Sequence, residues 1–310
     1  HCYATGSAGG MELSTRQWKR LIDEFAEAGC LFLVVTGGEP LVRPDFGDVY
    51  SHAVERGILV TVFTNATLVG PRYVELFREL PPQEVEVTVL GASPGVHDSI
   101  TGVAGSFDLM MTGIKNLLGA GVRVSLKTVV LRQNADDVKA IEKLAAELGL
   151  RFRLDGAVFA ALDGTITPLA FRADPGKLVR LEMESPDRLK EWKAFYRRYG
   201  DCGESDKVFM CGSATTSFYL DPAGQLQPCV MTPNIGENAI ACGFRAAWDA
   251  LGERIQGMML PHDSPCRSCR FKGLCGYCPG FFALESGDET TVAKFLCEFG
   301  QLRYDSIVEG

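Results

Sequence analysis

Apolar and polar positions follow alternating helical and strand-like periods over residues 11–160. Ser14 and Gln17 have the spacing of a capping box at a helix start, and the apolar run Leu31–Val35 is typical of a buried parallel strand. Further strands are predicted at residues 59–64, 84–89, 122–131 and 151–154, and helices at residues 45–56, 71–79, 107–118, 134–148 and 176–198. Strands that alternate with helices predict an α/β fold with a parallel sheet, either open or closed into a barrel.

Glycines and polar residues directly follow two of the predicted strands. Gly37, Gly38, Glu39 and Pro40 come after the first strand, and Thr64–Asn65 ends the second. Ligands of parallel α/β proteins bind at the carboxyl ends of the strands, and glycine lets a backbone approach a ligand closely. Taken alone, these residues are also compatible with tight turns that Asn and Thr side chains cap. The pair His97-Asp98 is interpreted as loop structure, and Asn134 as a helix cap.

Cysteines are concentrated in the last third of the chain. Of the 11 cysteines, nine follow residue 200, and two of them flank a β-hairpin predicted at residues 217–229. The pattern reads C-x12-G-x4-C, then C-x2-C-x5-C-x2-C, then one more cysteine, and it comprises Cys211, Cys229, Cys266, Cys269, Cys275, Cys278 and Cys297. Close cysteine pairs of this kind hold zinc or iron–sulfur clusters, and the spacing alone leaves both open.

Composition and charge exclude several classes of protein. With 310 residues and 46% apolar residues, the chain is long enough for one large α/β domain and a smaller one. The net charge is −8 and no basic stripe is present, so we expect no nucleic-acid partner. No apolar run approaches the roughly 20 residues of a membrane-spanning helix. Cysteine pairs with metal-ligand spacing favour a reducing, cytoplasmic location over a disulfide-bonded secreted protein.

The chain resembles the radical SAM enzymes that carry a C-terminal SPASM domain of auxiliary iron–sulfur clusters. Three features carry the resemblance: HCYA at residues 1–4, TGGEP at residues 36–40, and the terminal cysteine pattern. The resemblance implies a partial (β/α)6 TIM-like barrel over residues 1–200 and a small, cysteine-rich SPASM domain over residues 201–310. We expect the first strand, and two cysteines of the family motif C-x3-C-x2-C, to lie upstream of residue 1.

The resemblance also implies how individual residues bind cofactors. Cys2 is one of three thiolates that hold a catalytic [4Fe-4S] cluster, and His1 occupies the aromatic position before it. Glu39 accepts the ammonium group of S-adenosylmethionine (SAM), which binds the open iron of that cluster. Further cofactor-binding candidates are Gly37, Gly38, Asn65, Thr88 and Lys127. The Asn and Thr of this set are equally compatible with turn capping, and the Lys either faces the barrel or extends outward to solvent.

Two auxiliary [4Fe-4S] clusters are implied, with ligands in a crossed order along the chain. The first cluster uses Cys211, Cys229 and Cys278, and Cys202 is a candidate fourth ligand in place of an open iron. The second cluster uses Cys266, Cys269, Cys275 and Cys297. Two residues separate Cys275 from Cys278, whereas three residues usually separate the matching cysteines of the family. Cys30 and Cys242 are not expected to be ligands.

The implied reaction is a radical modification of a peptide. The reduced catalytic cluster donates an electron to SAM, which yields a 5′-deoxyadenosyl radical. This radical removes a hydrogen atom from the substrate. The segments HDSITGVAGSF and RLDG resemble the maturases of ribosomally made peptides, so we expect thioether or carbon–carbon crosslinks or an oxidation. The expected partners are a precursor peptide and a flavodoxin or ferredoxin that supplies electrons.

Three alternatives remain open from the sequence. An enzyme related to the sulfatase maturases would share every motif and oxidise one residue of a protein substrate. An electron carrier would use the auxiliary clusters alone. A zinc-binding protein without redox chemistry would use the same cysteine pairs.

Overall fold

A computed structural model of the chain describes residues 2–4, 12–200 and 202–309. The strands are β1 Phe32–Val35, β2 Leu59–Thr64, β3 Glu84–Thr88, β4 Val124–Val129, β5 Arg151–Asp155, β6 Tyr219–Leu220, β7 Gln225–Gln227 and β8 Glu237–Asn238. The helices are α1 Thr15–Glu27, α2 Phe46–Glu55, α3 Pro71–Glu79, α4 Pro94–Thr101, α5 Ser106–Gly119, α6 Val138–Glu147, α7 Pro175–Glu184, α8 Pro186–Tyr199, α9 Ala239–Cys242, α10 Phe244–Gly257, α11 Pro279–Ser286 and α12 Lys294–Tyr304. Short 3₁₀ turns lie at Pro40–Val42 and Thr167–Phe171, and a π-helical turn lies at Asp305–Glu309.

The chain divides into two compact units. The sheet unit comprises Gly9–Ala157 with Gly243–Arg245, and the cysteine unit comprises His1–Ala8, Val158–Cys242 and Ala246–Gly310. The domain boundary predicted between residues 200 and 201 stays a prediction, because a compact unit of the fold need not coincide with a family domain. Among the described residues, none of the helices combines the length and apolarity needed to cross a bilayer.

The sheet unit contains five parallel strands in the order β1-β2-β3-β4-β5, which confirms the predicted α/β class. The capping box of Ser14 and Gln17 starts α1 as predicted. One face of the sheet is apolar and buried, as at Val62, Val87 and Leu126. The opposite face carries charged side chains from β3, β4 and β5, because alternate residues of a strand point to opposite faces.

The structure corrects the predicted burial of the first strand. β1 pairs only with β2 and lies at the edge of the sheet within the described residues. Phe32 is 65% exposed, and Leu31 and Val34 are exposed too. The apolar run therefore predicted a strand correctly but not its environment, because burial depends on neighbouring strands that the run does not encode.

Three further local predictions were wrong. The helix predicted over residues 176–198 is two helices, because Pro186 begins α8 and Ser185 caps it. The pair His97-Asp98 lies in helix α4, which Pro94 starts, and not in a loop. Asn134 does not cap α6; it is buried in the preceding turn, where its Oδ1 accepts the Leu131 N–H.

The cysteine unit contains the predicted hairpin and helices that position two of the predicted cluster cysteines. β6 and β7 pair antiparallel, and β8 adds a third strand that was not predicted. Cys278 is the N-cap residue of α11, and Cys297 lies in α12. All eleven cysteines are free thiols, so disulfides do not stabilise this unit.

His97 makes the stability of the sheet unit dependent on pH. Its ring is 3% exposed, its Nδ1 accepts the Leu90 N–H at 3.2 Å, and Phe107 packs edge-on against it. Burial lowers the pKa of His97 below its usual value, and Asp98 opposes this shift. As the pH falls, the unfolded chain therefore takes up the proton first, and the folded state loses stability by up to about 1.4 kcal/mol per pH unit.

We predict that lowering the pH from about 7.5 to about 5.5 reduces the melting temperature less in His97→Asn than in the wild type. The Asn side chain keeps an acceptor for the Leu90 N–H but cannot titrate. His262→Gln changes an exposed histidine and should keep the wild-type slope. Equal slopes in wild type and His97→Asn would show that the buried ring does not resist protonation.

Candidate functional site

Glu39 joins the carboxyl ends of β1 and β2. Its Oε1 accepts hydrogen bonds from Leu41 N–H at 3.0 Å and from Thr64 Oγ1 at 2.8 Å. Its Oε2 accepts the Asn65 N–H at 2.8 Å. A carboxylate offers about four acceptor positions, so the three bonds leave one for a ligand. Glu39 therefore positions both strand ends and can still accept one N–H group.

The glycines before Glu39 border open space. A Cβ added at Gly37 or at Gly38 would have no heavy atom within 4 Å. The backbone at these two positions is thus accessible to a ligand group, as expected for the predicted cofactor loop. Their predicted role in binding SAM stays a prediction.

A strained turn follows β2. Ala66 is fully buried with φ +59°, a backbone region that a non-glycine residue adopts at a cost, and its N–H donates to Thr64 Oγ1. A Cβ at Gly113 of α5 would lie 2.0 Å from the Ala66 carbonyl oxygen, so α5 packs directly against this turn. Asn65 Oδ1 accepts from Thr67 N–H and Oγ1, which is the turn capping left open by the sequence.

The charged face of the sheet centres on Glu86. Arg153 donates two hydrogen bonds to its carboxylate, at 2.7 and 3.2 Å, and Lys127 Nζ lies 3.3 Å from the same group. Lys127 also lies 3.8 Å from the centre of the Phe63 ring and is opposite Thr88 in the register of β3 and β4. Burial lowers the pKa of Lys127, and Glu86 opposes that shift. Lys127 thus faces the charged side of the sheet.

Glu86 and Arg153 were not identified from the sequence. A signal was present, because the segments EVEVT and RFRLD place charged residues at every second position of a strand whose other positions are apolar. The pairing itself joins residues 67 positions apart and could not be derived from that alternation.

Cys2 belongs to the cysteine unit and is exposed. The next residue, Tyr3, stacks on Phe159 with ring centres 4.9 Å apart, and its carbonyl accepts the Leu162 N–H at 3.0 Å. These contacts fix the segment that presents Cys2. The predicted contact residue His1 lies outside the described residues.

One set of thiols, the first thiol group, comprises Cys211, Cys229 and Cys278. The thiols of Cys211 and Cys229 act electrostatically on Cys278, so the three lie near one another. Cys278 Sγ accepts the Phe281 N–H at 3.4 Å, whereas the Thr232 hydroxyl beside Cys229 donates to the Cys229 carbonyl at 2.8 Å. An N–H group that points at sulfur favours the thiolate form, which binds metals.

The other set, the second thiol group, comprises Cys266, Cys269, Cys275 and Cys297. These four cysteines line one cavity together with aromatic and aliphatic side chains and Lys272. The buried Lys272 ammonium donates to the carbonyls of Gly203 and Arg267 at 3.2 and 3.1 Å. The structure thus brings together the two cysteine sets that the resemblance implied, in the crossed order.

Burial is the first cause of high thiol pKa values in both groups. It raises the pKa of Cys275 to about 12 and that of Cys266 to about 11, and neighbouring thiols of the second group add to both shifts. Burial raises the pKa of Cys278 to about 11, whereas N–H groups at the start of α11 oppose the shift. At neutral pH these thiols are protonated, so a metal centre that binds them must displace protons.

The cavity of the second thiol group offers four sulfurs to one metal centre. Four thiolates are the ligand set of a structural zinc ion and also of an iron–sulfur cluster. The cavity by itself therefore fits both kinds of metal centre.

No contact within the described residues links Cys202 to either thiol group. It is exposed, and its Sγ donates to the Tyr199 carbonyl at 3.2 Å. Cys30 and Cys242 also donate to nearby carbonyls, of Phe32 and Asn238. The role of Cys202 as a fourth ligand of the first cluster stays a prediction.

Helix α12 is held tightly against the loop that carries Cys275. A Cβ added at Gly300 would lie 2.6 Å from the Cys275 Cβ, so only glycine fits there without movement. One turn later, Arg303 donates to the Leu274 carbonyl at 2.8 Å and to both oxygens of Glu182 at 2.8 and 2.6 Å. This buried ion pair fixes the helix that supplies the last thiol of the second group.

Comparison with known proteins identifies the family. Residues 1–145 match the model of the radical SAM superfamily. An AdoMet-dependent heme synthase of Oleidesulfovibrio alaskensis is 36% identical over 86% of this chain and 74% of its own length. A PqqA peptide cyclase of Ruegeria pomeroyi is 29% identical over 70% of this chain and 59% of its own length. Streptococcus suis SuiB bound to the precursor peptide SuiA shares the fold, with a TM-score of 0.75 at 18% identity, over 96% of this chain and 72% of SuiB.

The chain belongs to the radical SAM superfamily, as its sequence motifs predicted. Members of this superfamily are enzymes that use SAM and a [4Fe-4S] cluster, and SPASM-type members carry auxiliary clusters. The open backbone beside Glu39 and the two thiol groups fit these cofactors.

We predict that Glu39→Gln weakens SAM binding to the reconstituted protein by about ten- to a hundredfold. The amide nitrogen of Gln would face the Asn65 N–H, and the lost bond to a charged group is worth about 1.5–3 kcal/mol. Glu12→Gln is the matched control, because Glu12 is exposed and pairs with Arg43 beside the same loop. Calorimetric titration measures both, and equal affinity in Glu39→Gln and wild type would contradict the positioning role.

We predict that Gly300→Ala lowers iron content by about four irons per chain after anaerobic reconstitution, since a displaced α12 withdraws one thiol of the second group. Gly257→Ala is the control, because a Cβ there meets nothing within 4 Å. Full iron content in Gly300→Ala would show that the close approach of α12 to Cys275 is not needed for the site.

Proposed function

We propose that this enzyme uses SAM to modify a peptide by radical chemistry. The bound cluster and SAM supply a radical that removes a hydrogen atom from an unactivated carbon of the substrate. The observation that carries the proposal is the combination of a Glu39-centred loop at the strand ends with two groups of thiols in the order typical of SPASM enzymes.

The residues of this chain then have distinct roles. Glu39 and the turn at Thr64–Thr67 position the loop that accepts the amino group of SAM. Gly37 and Gly38 give SAM access to the backbone, and Cys2 holds the catalytic cluster. The first and second thiol groups would hold the auxiliary clusters, and these would supply an electron acceptor for a crosslink, either thioether or carbon–carbon, or an oxidation.

The charge balance of the sheet favours a peptide over a strongly anionic substrate. The charged face of β3, β4 and β5 carries three carboxylates and three cations, which are Glu84, Glu86, Asp155, Lys127, Arg151 and Arg153. Each of these cations lies against a carboxylate. A face without net charge attracts no polyanion, whereas peptide groups need neighbouring donors and acceptors.

A second candidate is a step in heme synthesis. It is favoured by the 36% identity to an AdoMet-dependent heme synthase, whose length the chain covers by 74%. The same loop and thiol groups would serve, and the substrate would be a tetrapyrrole.

Electrons would come from a reduced flavodoxin or ferredoxin. A cytoplasmic location is proposed on chemical grounds, because cysteines that bind clusters must stay reduced and a reducing compartment keeps them so.

The substrate class is tested with the full-length protein after anaerobic reconstitution. The protein is incubated with SAM, dithionite and either precursor peptides encoded near its gene or an iron tetrapyrrole. We expect a peptide that has lost two hydrogens, detected by mass spectrometry, together with methionine and 5′-deoxyadenosine. Turnover of the tetrapyrrole alone, seen as a shift of its visible absorption band, would replace the peptide proposal with the second candidate.

A further inference from the structure

Tyr277 places a buried hydroxyl without a partner beside the second thiol group. It lies between Cys275 and Cys278 in sequence and lines the cavity of the second thiol group. Among the described residues, no hydrogen-bonding atom is within reach of its hydroxyl, although the oxygen is shielded from solvent. A buried hydroxyl without a hydrogen bond costs about 1–3 kcal/mol of desolvation, and a redox role or a bound ion is among the explanations for such a group.

The rest of the ring is well packed, so the hydroxyl is held in place. The Tyr277 ring packs edge-on against Phe282 at 5.3 Å between ring centres. Cys266 and Cys275 line the same cavity as Tyr277. A phenol donates one hydrogen bond, and sulfur that carries negative charge is an acceptor.

We propose that the Tyr277 hydroxyl donates a hydrogen bond to a sulfur of the iron–sulfur cluster held by the second thiol group, and thereby raises the reduction potential of that cluster. Hydrogen bonds to cluster sulfurs stabilise the more negative, reduced form and are one of the means by which proteins set such potentials. The inference rests on the proposed cluster site but not on the identity of the substrate.

The test compares Tyr277→Phe with the wild type after anaerobic reconstitution. The substitution removes one oxygen atom and leaves the packed ring in place. We expect full iron content and about a tenfold lower ratio of reduced to oxidised second cluster at a fixed potential, or about 59 mV for a one-electron couple. The ratio is measured by electron paramagnetic resonance during titration with dithionite, and the signal is assigned by its loss in Cys297→Ser.

Two further measurements separate this role from simple packing. An exchangeable proton coupled to the reduced cluster should be visible in water, vanish in heavy water, and be absent in Tyr277→Phe. Without iron, Tyr277→Phe should melt no lower than the wild type, because no bond is lost. Tyr50→Phe is the matched control and should melt lower, because its buried hydroxyl donates to the Leu80 carbonyl at 2.6 Å.

Three results would count against the proposed hydrogen bond from Tyr277 to the cluster. A full cluster with an unchanged potential, or the same coupled proton in Tyr277→Phe, would overturn the proposal. A marked loss of stability in iron-free Tyr277→Phe would also overturn it, since the hydroxyl would then have a partner within the protein. A wild-type protein that binds no iron would instead refute the cluster site itself.

Discussion

The alternation of apolar and polar side chains along the parallel strands determines which face of the sheet carries the charged groups. Because successive side chains point to opposite faces, valines and leucines of the buried face leave every second position for polar groups. Glu86, Lys127 and Arg153 meet on that second face. Parallel strands also end at one edge, so the loop after β1 and the turn after β2 are neighbours, and Glu39 can bond to both.

The cysteine unit depends on a different constraint, which is the division of neighbouring cysteines between two groups. Cys275 and Cys278 are three positions apart, yet they belong to different groups. Cys275 lines the cavity of the second thiol group. Cys278 caps α11 and belongs to the first thiol group. Tyr277, which lies between these two cysteines in sequence, lines the cavity of the second thiol group. Helix α12 lies close to Cys275 because Gly300 has no side chain and because Arg303 pairs with the buried Glu182.

The sequence allowed prediction of what depends on local pattern. The bounds of β2 and α3, the capping box of α1 and the β6–β7 hairpin follow from periodicity and turn residues. Burial of β1 was predicted wrongly, because it depends on a neighbouring strand. The bonds of Glu39 to the turn after β2 and of Glu86 to Arg153 span 25 to 67 positions, so local pattern could not reveal them. The cysteine grouping came from family resemblance, since spacing alone left zinc open.

The most direct test of the account is the content of iron, acid-labile sulfide and zinc after anaerobic reconstitution of the 310-residue chain. Two auxiliary [4Fe-4S] clusters predict about eight irons and a similar amount of sulfide per chain, with little zinc. One or two zinc ions per chain without iron would contradict the account, because the thiol groups would then be structural sites with no part in radical chemistry.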